Sequence, residues 1–225
     1  MNCIKQLDLG RRGRQAFTVL ELMVVVFIVV ILATLILPMM SRPRSRSTSI
    51  MCVNNLKQVG LGFRMWAGDN SDINPMHYKT NDFDGAKYSN SKQMFIYFQV
   101  MSNELSTPKI VVCPGDEKRS AATNFTSDFN STKVSYFVGL DADETLPQSV
   151  LAGDWNLTNS VASKNGVVNI TTNGVSGWTK DIHQFSGNVA LGDGSVQKVS
   201  TMGLKGLIKS TGMATNRLVF PGGVN

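Results

Sequence analysis

Few residues in this 225-residue chain are of a type and spacing to do chemistry, and the most exposed to physical argument is Glu21. It is the only charged residue in the apolar run 17–40. A carboxylate inside a bilayer costs ~2.5–3.5 kcal/mol at the centre on insertion scales and less near the edge, so it needs a partner. Two partners are available: Arg11, Arg12 and Arg14 just upstream, or a new α-amine made by cutting the chain near Phe17. The only histidines are His77 and His183, and neither belongs to an H-x-x-x-H, G-x-S-x-G or other nucleophile pattern. His183 and Asp193 would meet across a hairpin and share a hydrogen bond, which is a structural role rather than a catalytic one.

The element that must position Glu21 is a helix. As one helix, the 24 residues of 17–40 would run ~36 Å, enough to cross a ~30 Å hydrocarbon core with some tilt. The formal charge of +6 is uneven: Lys5, Arg11, Arg12 and Arg14 precede the run, and Arg42, Arg44 and Arg46 follow it. That distribution reads as charge flanking a membrane segment, and no nucleic-acid partner is expected. The basic N-terminus places the start of the chain in the cytoplasm. A removable secretory signal fits poorly, because the apolar core is too long, carries Glu21 and lacks an A-x-A site. A plain signal anchor leaves Glu21 and Phe17-Thr18 unexplained.

Pro38 should kink the helix, and Pro43 interrupts it again. Helical patterning then resumes, with Cys52, Leu56, Val59, Phe63 and Trp66 forming one apolar stripe that ends near Gly68. This predicts an interrupted N-terminal helix continuing onto the globular domain; an ordinary core helix after a linker predicts nearly the same contacts. Residues 93–105 read as a short helix. Strands are expected at 110–113, 134–140, 149–153 and 167–171, with a hairpin of 188–192 and 195–199 around Asp193-Gly194 and a helical turn or two at 203–210.

The run Arg14-Gln15-Ala16-Phe17-Thr18-Val19-Leu20-Glu21-Leu22 resembles the prepilin signature: a basic leader, a small residue, Phe-Thr-x-x-Glu and a hydrophobic helix. The resemblance implies cleavage between Ala16 and Phe17, N-methylation of Phe17, and Glu21 as the assembly residue, paired with the freed amine of a neighbouring subunit. Ala16 departs from the glycine usual before the cut, and Pro38 stands where many pilins have a kinking proline. Met51-Cys52-Val53-Asn54-Asn55-Leu56, Cys113-Pro114, Ser135-Tyr136 and His183 with Asp193-Gly194 are similar to a pseudopilin-like subgroup recognised by a C-terminal H-x9-DG element.

A cut before Phe17 removes Cys3 and leaves Cys52 and Cys113 on the oxidising side. A bridge between them would close a loop of about 60 residues, for ~4 kcal/mol in the chain-entropy model. Two buried free thiols remain the alternative, and zinc is not expected with so few Cys and His. Some secretion pseudopilins bind calcium in this region, which makes Asp141, Asp143 and Glu144 candidates beside Asp69, Asn70 and Asp72. Neither group has the EF-hand spacing, so solvated or capping roles compete and no cofactor is required. Four N-x-S/T sequons, at Asn124, Asn130, Asn156 and Asn169, would suit a eukaryotic type II membrane glycoprotein, but in so Asn- and Thr-rich a chain several arise by chance.

The expected organisation is therefore a leader at 1–16, a transmembrane and assembly helix at 17–40, its amphipathic continuation at 41–68 and a periplasmic globular domain at 69–225. The fold class is α+β, a pilin-like long N-terminal helix, transmembrane in its first half, on a small antiparallel sheet. The resemblance implies a non-enzymatic subunit of a type II secretion pseudopilus or a type IV pilus-like filament, held in the bacterial inner membrane by a single pass. Its partners would be copies of itself or related pilins, the prepilin peptidase/methyltransferase and an inner-membrane assembly platform. The alternative is a signal-anchored binding protein or enzyme that joins no filament.

Overall fold

The computed structural model describes residues 17–36, 43–158, 165–174 and 176–222. Two compact units divide the chain, Met1–Arg44 and Ser45–Asn225.

The first unit contributes helix α1, Val19–Ile36. Its eighteen residues rise about 27 Å, short of a ~30 Å hydrocarbon core. Among the described residues no helix is long and apolar enough to cross a membrane. That corrects the expected single-pass inner-membrane anchor with its cytoplasmic N-terminus and periplasmic domain. The expectation counted 17–40 as one helix, of which the described residues hold Val19–Ile36. Ala16, the leader 1–16 and the expected kink at Pro38 lie outside the described residues.

In the second unit, helix α2 runs Pro43–Asp69, with proline at the first position, where its missing N–H costs nothing. The stripe Cys52, Leu56, Val59, Phe63 and Trp66 is buried. The helix ends where Ser71 and Asp72 take left-handed backbone (φ 62° and 59°) and the Asp72 amide bonds back to the Ala67 carbonyl at 2.8 Å. The expected helix 93–105 is two short ones, α3 (Ile96–Val100) and α4 (Ser102–Leu105), broken at Met101. The expected strand at 110–113 is instead a 3-10 turn, Pro108–Val111, because the Thr107 hydroxyl caps the Lys109 amide and Pro108 opens the turn.

Six strands form one antiparallel sheet: β1 Tyr136–Gly139, β2 Val150–Asp154, β3 Val167–Thr171, β4 Ser186–Leu191, β5 Val196–Ser200 and β6 Thr215–Val219. Their order is β3-β6-β1-β2-β4-β5. Side chains alternate between two cores. Tyr136, Val138, Ala190 and Val219 join the α2 stripe, while Phe137, Val189, Leu191 and Leu218 join a second cluster with Leu204, Leu207 and Ile208 of helix α5 (Thr201–Ser210). A register shift between Val150 and Ala152 turns both Leu151 and Ala152 toward the α2 side. The expected fold class is thus corrected on two counts. The helices α1 and α2 are described as separate elements, and the sheet is not small but six strands with an apolar cluster on each face. Gly187 has a steric reason: a Cβ there would lie 2.3 Å from the Trp178 ring.

Candidate functional site

Two places gather the residues singled out above. The first is the start of α1. The Thr18 amide and hydroxyl donate to Glu21 Oε2 at 3.0 and 3.1 Å, and the Glu21 amide donates back to the Thr18 hydroxyl at 3.3 Å. This is a capping box, with Thr18 as N-cap and Glu21 at the third helical position, where the positive end of the helix dipole also favours a carboxylate. Glu21 therefore has a partner inside its own first turn. The Thr-x-x-Glu spacing carried that signal in the sequence. Phe17, just ahead of the cap, is 82% exposed. Every described side chain from 17 to 34 is exposed.

The second place is buried between α2 and the sheet. Cys52 on α2 and Cys113, two residues past the 3-10 turn, are joined by a disulfide with their Cα atoms 4.9 Å apart. His183, on the loop before β4, sets Nε2 3.4 Å from Cys113 Sγ. The same nitrogen lies 3.0 Å from Asn188 Nδ2 and 3.4 Å from Asp154 Oδ2. The backbone that holds it there is strained. Ile182, Gln184 and Phe185 all take positive φ (59°, 50° and 61°), a conformation that is an outlier for β-branched isoleucine and costs of order 1–3 kcal/mol per residue.

Register explains why these groups converge. Tyr136 on β1 faces Asp154 on β2, and Asn188 on β4 faces Lys198 on β5. The Asn188 amide and its Nδ2 both donate to Asp154 Oδ2, at 2.7 and 3.0 Å, closing one polar row across four strands. Lys198 Nζ continues to the Ser49 hydroxyl on α2 at 2.8 Å. Asp154 Oδ1, Asn188 Oδ1 and the Tyr136 hydroxyl are buried without a hydrogen-bond partner. Burial pushes the Asp154 carboxyl up to about 7, against the pull of the Asn188 hydrogen bonds. Burial pulls His183 down to about 4, with the Lys198 charge adding to it, so the imidazole is neutral at pH 7.

A second buried network adjoins it. Asp116 Oδ2 accepts from the Ser135 hydroxyl (2.7 Å) and Trp155 Nε1 (2.6 Å). Arg119 Nε lies 3.6 Å from the same oxygen, while its Nη1 donates to the Ser131 and Val134 carbonyls and its Nη2 to Pro221. Burial lowers the guanidinium to about 10 against the opposing Asp116 charge. A cleft of about 390 Å³ opens between segments 115–118 and 180–184, with Asp116 in its wall.

The expected His183–Asp193 contact does not form. The two residues lie at opposite ends of β4, six residues long and therefore about 20 Å. Asp193 Oδ1 instead accepts from the Ser195 amide at 2.8 Å, Gly194 takes φ +82° in the hairpin turn, and the Asp193 carbonyl receives Arg64 of α2 at 3.1 Å. The nine-residue spacing of the H-x9-DG element is thus the span of β4, which is fastened at one end to the disulfide and at the other to α2.

The acidic residues offered for calcium have separate partners. Asp141 takes the Arg217 guanidinium and amide, Asp143 caps the Thr145 amide at 2.8 Å, and Glu144 lies 3.7 Å from Arg64. His77 bonds the Leu140 carbonyl at 2.7 Å. Of the sequons, Asn156 is fully buried, its Nδ2 donating to the Asp181 carbonyl at 2.8 Å. Sequence reasoning missed Asp154, Asn188, Asp116 and Arg119. The available signal was a charge closing an otherwise apolar segment, as in Val150-Leu151-Ala152-Gly153-Asp154.

No family model, no curated protein and no solved structure matches this chain.

Proposed function

We propose that this chain is a non-enzymatic structural subunit that assembles with other copies of itself, or with related pilins, into a helical filament. The machine would be a type II secretion pseudopilus or a type IV pilus. Cleavage between Ala16 and Phe17 by a prepilin peptidase and methylation of Phe17 would precede assembly. The observation that carries the reading is α1 itself: a helix apolar on every side whose described side chains are all exposed. Such a helix is stable in water only once something covers it, and identical helices bundled together cover one another. The prepilin-like signature ahead of it supplies the means. The histidine chemistry does not favour an enzyme, because the sulfur beside His183 is tied in a disulfide.

The capping box sharpens the test at Glu21. Glutamine satisfies the same box without the charge. Glu21→Gln therefore preserves the helix start and removes only the ion pair expected across subunits, whereas Glu21→Ala removes both. The reading expects both variants to lose assembly, scored by sedimentation and by crosslinking. Full assembly by Glu21→Gln would sink the charge-pairing role. Unaltered behaviour of both variants would favour the rival, a binding protein or enzyme merely attached by α1. The mature N-terminus, read by mass spectrometry, should be methylated Phe17; an intact Met1 would overturn the maturation.

A further inference from the structure

We propose that, once its disulfide is opened, this chain binds one Zn²⁺ ion between Cys52, Cys113 and His183, with the Asp154 carboxylate beside the site. The proposal is independent of the filament reading. Scarcity of Cys and His argued against zinc in the sequence, but the fold brings three such residues together from distant parts of the chain. Their ligand atoms all lie within 4.8 Å of one another. In a tetrahedral site with Zn–S ≈ 2.3 Å and Zn–N ≈ 2.0–2.1 Å, sulfur and nitrogen stand about 3.6 Å apart. Cys113 Sγ and His183 Nε2 stand 3.4 Å apart already. The two sulfurs, released from their bond, need separate only to about 3.8 Å.

The surroundings favour a cation. Asp154 has no exposed surface, its Oδ2 is 3.4 Å from His183 Nε2, and its Oδ1 is buried without a partner. A buried carboxylate oxygen with nothing to accept from is a group that a cation would satisfy. Asn188, which donates to Asp154 at 3.0 Å, would orient that carboxylate from outside the ligand shell. Two thiolates and a neutral imidazole balance the charge of Zn²⁺, and Asp154 and Lys198 lie beside the site.

The chemistry balances with a dithiol as reductant. The S–S bond takes two electrons and two protons and becomes two thiols, while the dithiol becomes its own disulfide. Zinc then displaces a proton from each thiol to water. Oxidation reverses the step and expels the ion, so bridge and metal are mutually exclusive occupants of one site.

The test uses the full chain, oxidised and dithiol-reduced, with the dithiol then removed. Each form is titrated with Zn²⁺ against a chromophoric chelator, and with Co²⁺ to read thiolate-to-metal absorption. The reduced chain should take one equivalent with thiolate bands, and the oxidised chain should be outcompeted by the chelator. His183→Ala should weaken binding by roughly tenfold or more, and Asp154→Asn by less. Equal affinity of the reduced and oxidised chains would overturn the site, as would wild-type affinity in His183→Ala. Wild-type affinity in Asp154→Asn would overturn the part given to that carboxylate. If circular dichroism shows the reduced, metal-free chain unfolded, refolding by one equivalent of Zn²⁺ supports the proposal and failure to refold rejects it.

Discussion

Helix α1 and the layer between α2 and the sheet treat polar groups in opposite ways. In α1, one carboxylate finds its partners three residues away, and the apolar surface around it remains exposed. Under α2, the apolar stripe is buried, and Asp154, Asn188 and Lys198 find their partners across elements distant in sequence. A locally satisfied charge needs nothing beyond the first turn of α1. A network satisfied at long range can exist only in the finished fold. The first region is thus satisfied within one turn, and the second only by the whole fold.

The comparison breaks most readily at Arg119. Arg119→Met leaves Asp116 buried beside an absent cation, for which a loss of about 3–5 kcal/mol is expected in urea unfolding of the oxidised chain. The disulfide comes next. Cys52→Ala with Cys113→Ala should cost ~4 kcal/mol, the loop entropy for a sequence separation of 61. Neither change should alter helix formation in α1, and a simultaneous loss there would erase the distinction between the two regions.

A finer test is pH. The Asp154 carboxyl, raised in the fold to about 7, contributes stability that is full below about 4 and lost as pH climbs through 7. His183, lowered to about 4 from 6.5, works the other way: the unfolded chain binds the extra proton, so stability rises with pH across that window. With Asp116 and Lys198 as the neighbouring charges, the two slopes oppose each other, and the wild type should be nearly flat from pH 4 to 6.5. His183→Gln should expose the Asp154 slope, falling with pH by of order 1 kcal/mol per unit, and Asp154→Asn should expose the rising one. Urea midpoints at pH 4.5 and 6.5 decide it; matching slopes in the two variants would refute the opposition. The smallest effect belongs to α1: Thr18→Ala removes the N-cap for about 1 kcal/mol of helix stability, read by circular dichroism, with no change in the urea midpoint of the second unit.

What the sequence made legible follows the same division. Local signals read well. The α2 stripe from Cys52 to Trp66 is buried, β3 matches the expected 167–171, and the Asp193-Gly194 turn joins β4 to β5. The Cys52–Cys113 bridge was one of two open alternatives. Strand β6 was missed because Thr-Asn-Arg-Leu-Val alternates weakly and becomes a strand only through its neighbours β3 and β1. The polar row was missed for the same reason. Asp154 and Asn188 are ordinary surface types until register sets them side by side under α2. The apolar run misled in the other direction: hydropathy measured its length in residues, and the helix described within it is shorter.

Strand β6 has one more consequence, which concerns timing. It lies between β3 and β1, so during synthesis β3 has no neighbour in the sheet until β6 emerges behind α5. Cys52 and Cys113 both precede β1 in the chain, so their covalent link can close before any strand is paired. A nascent chain that has made β1 and β3 but not β6 carries a fixed α2 segment and unpaired edges at β1 and β3, the form most prone to pairing with the wrong strand. The last strand to arrive is the one that closes that window.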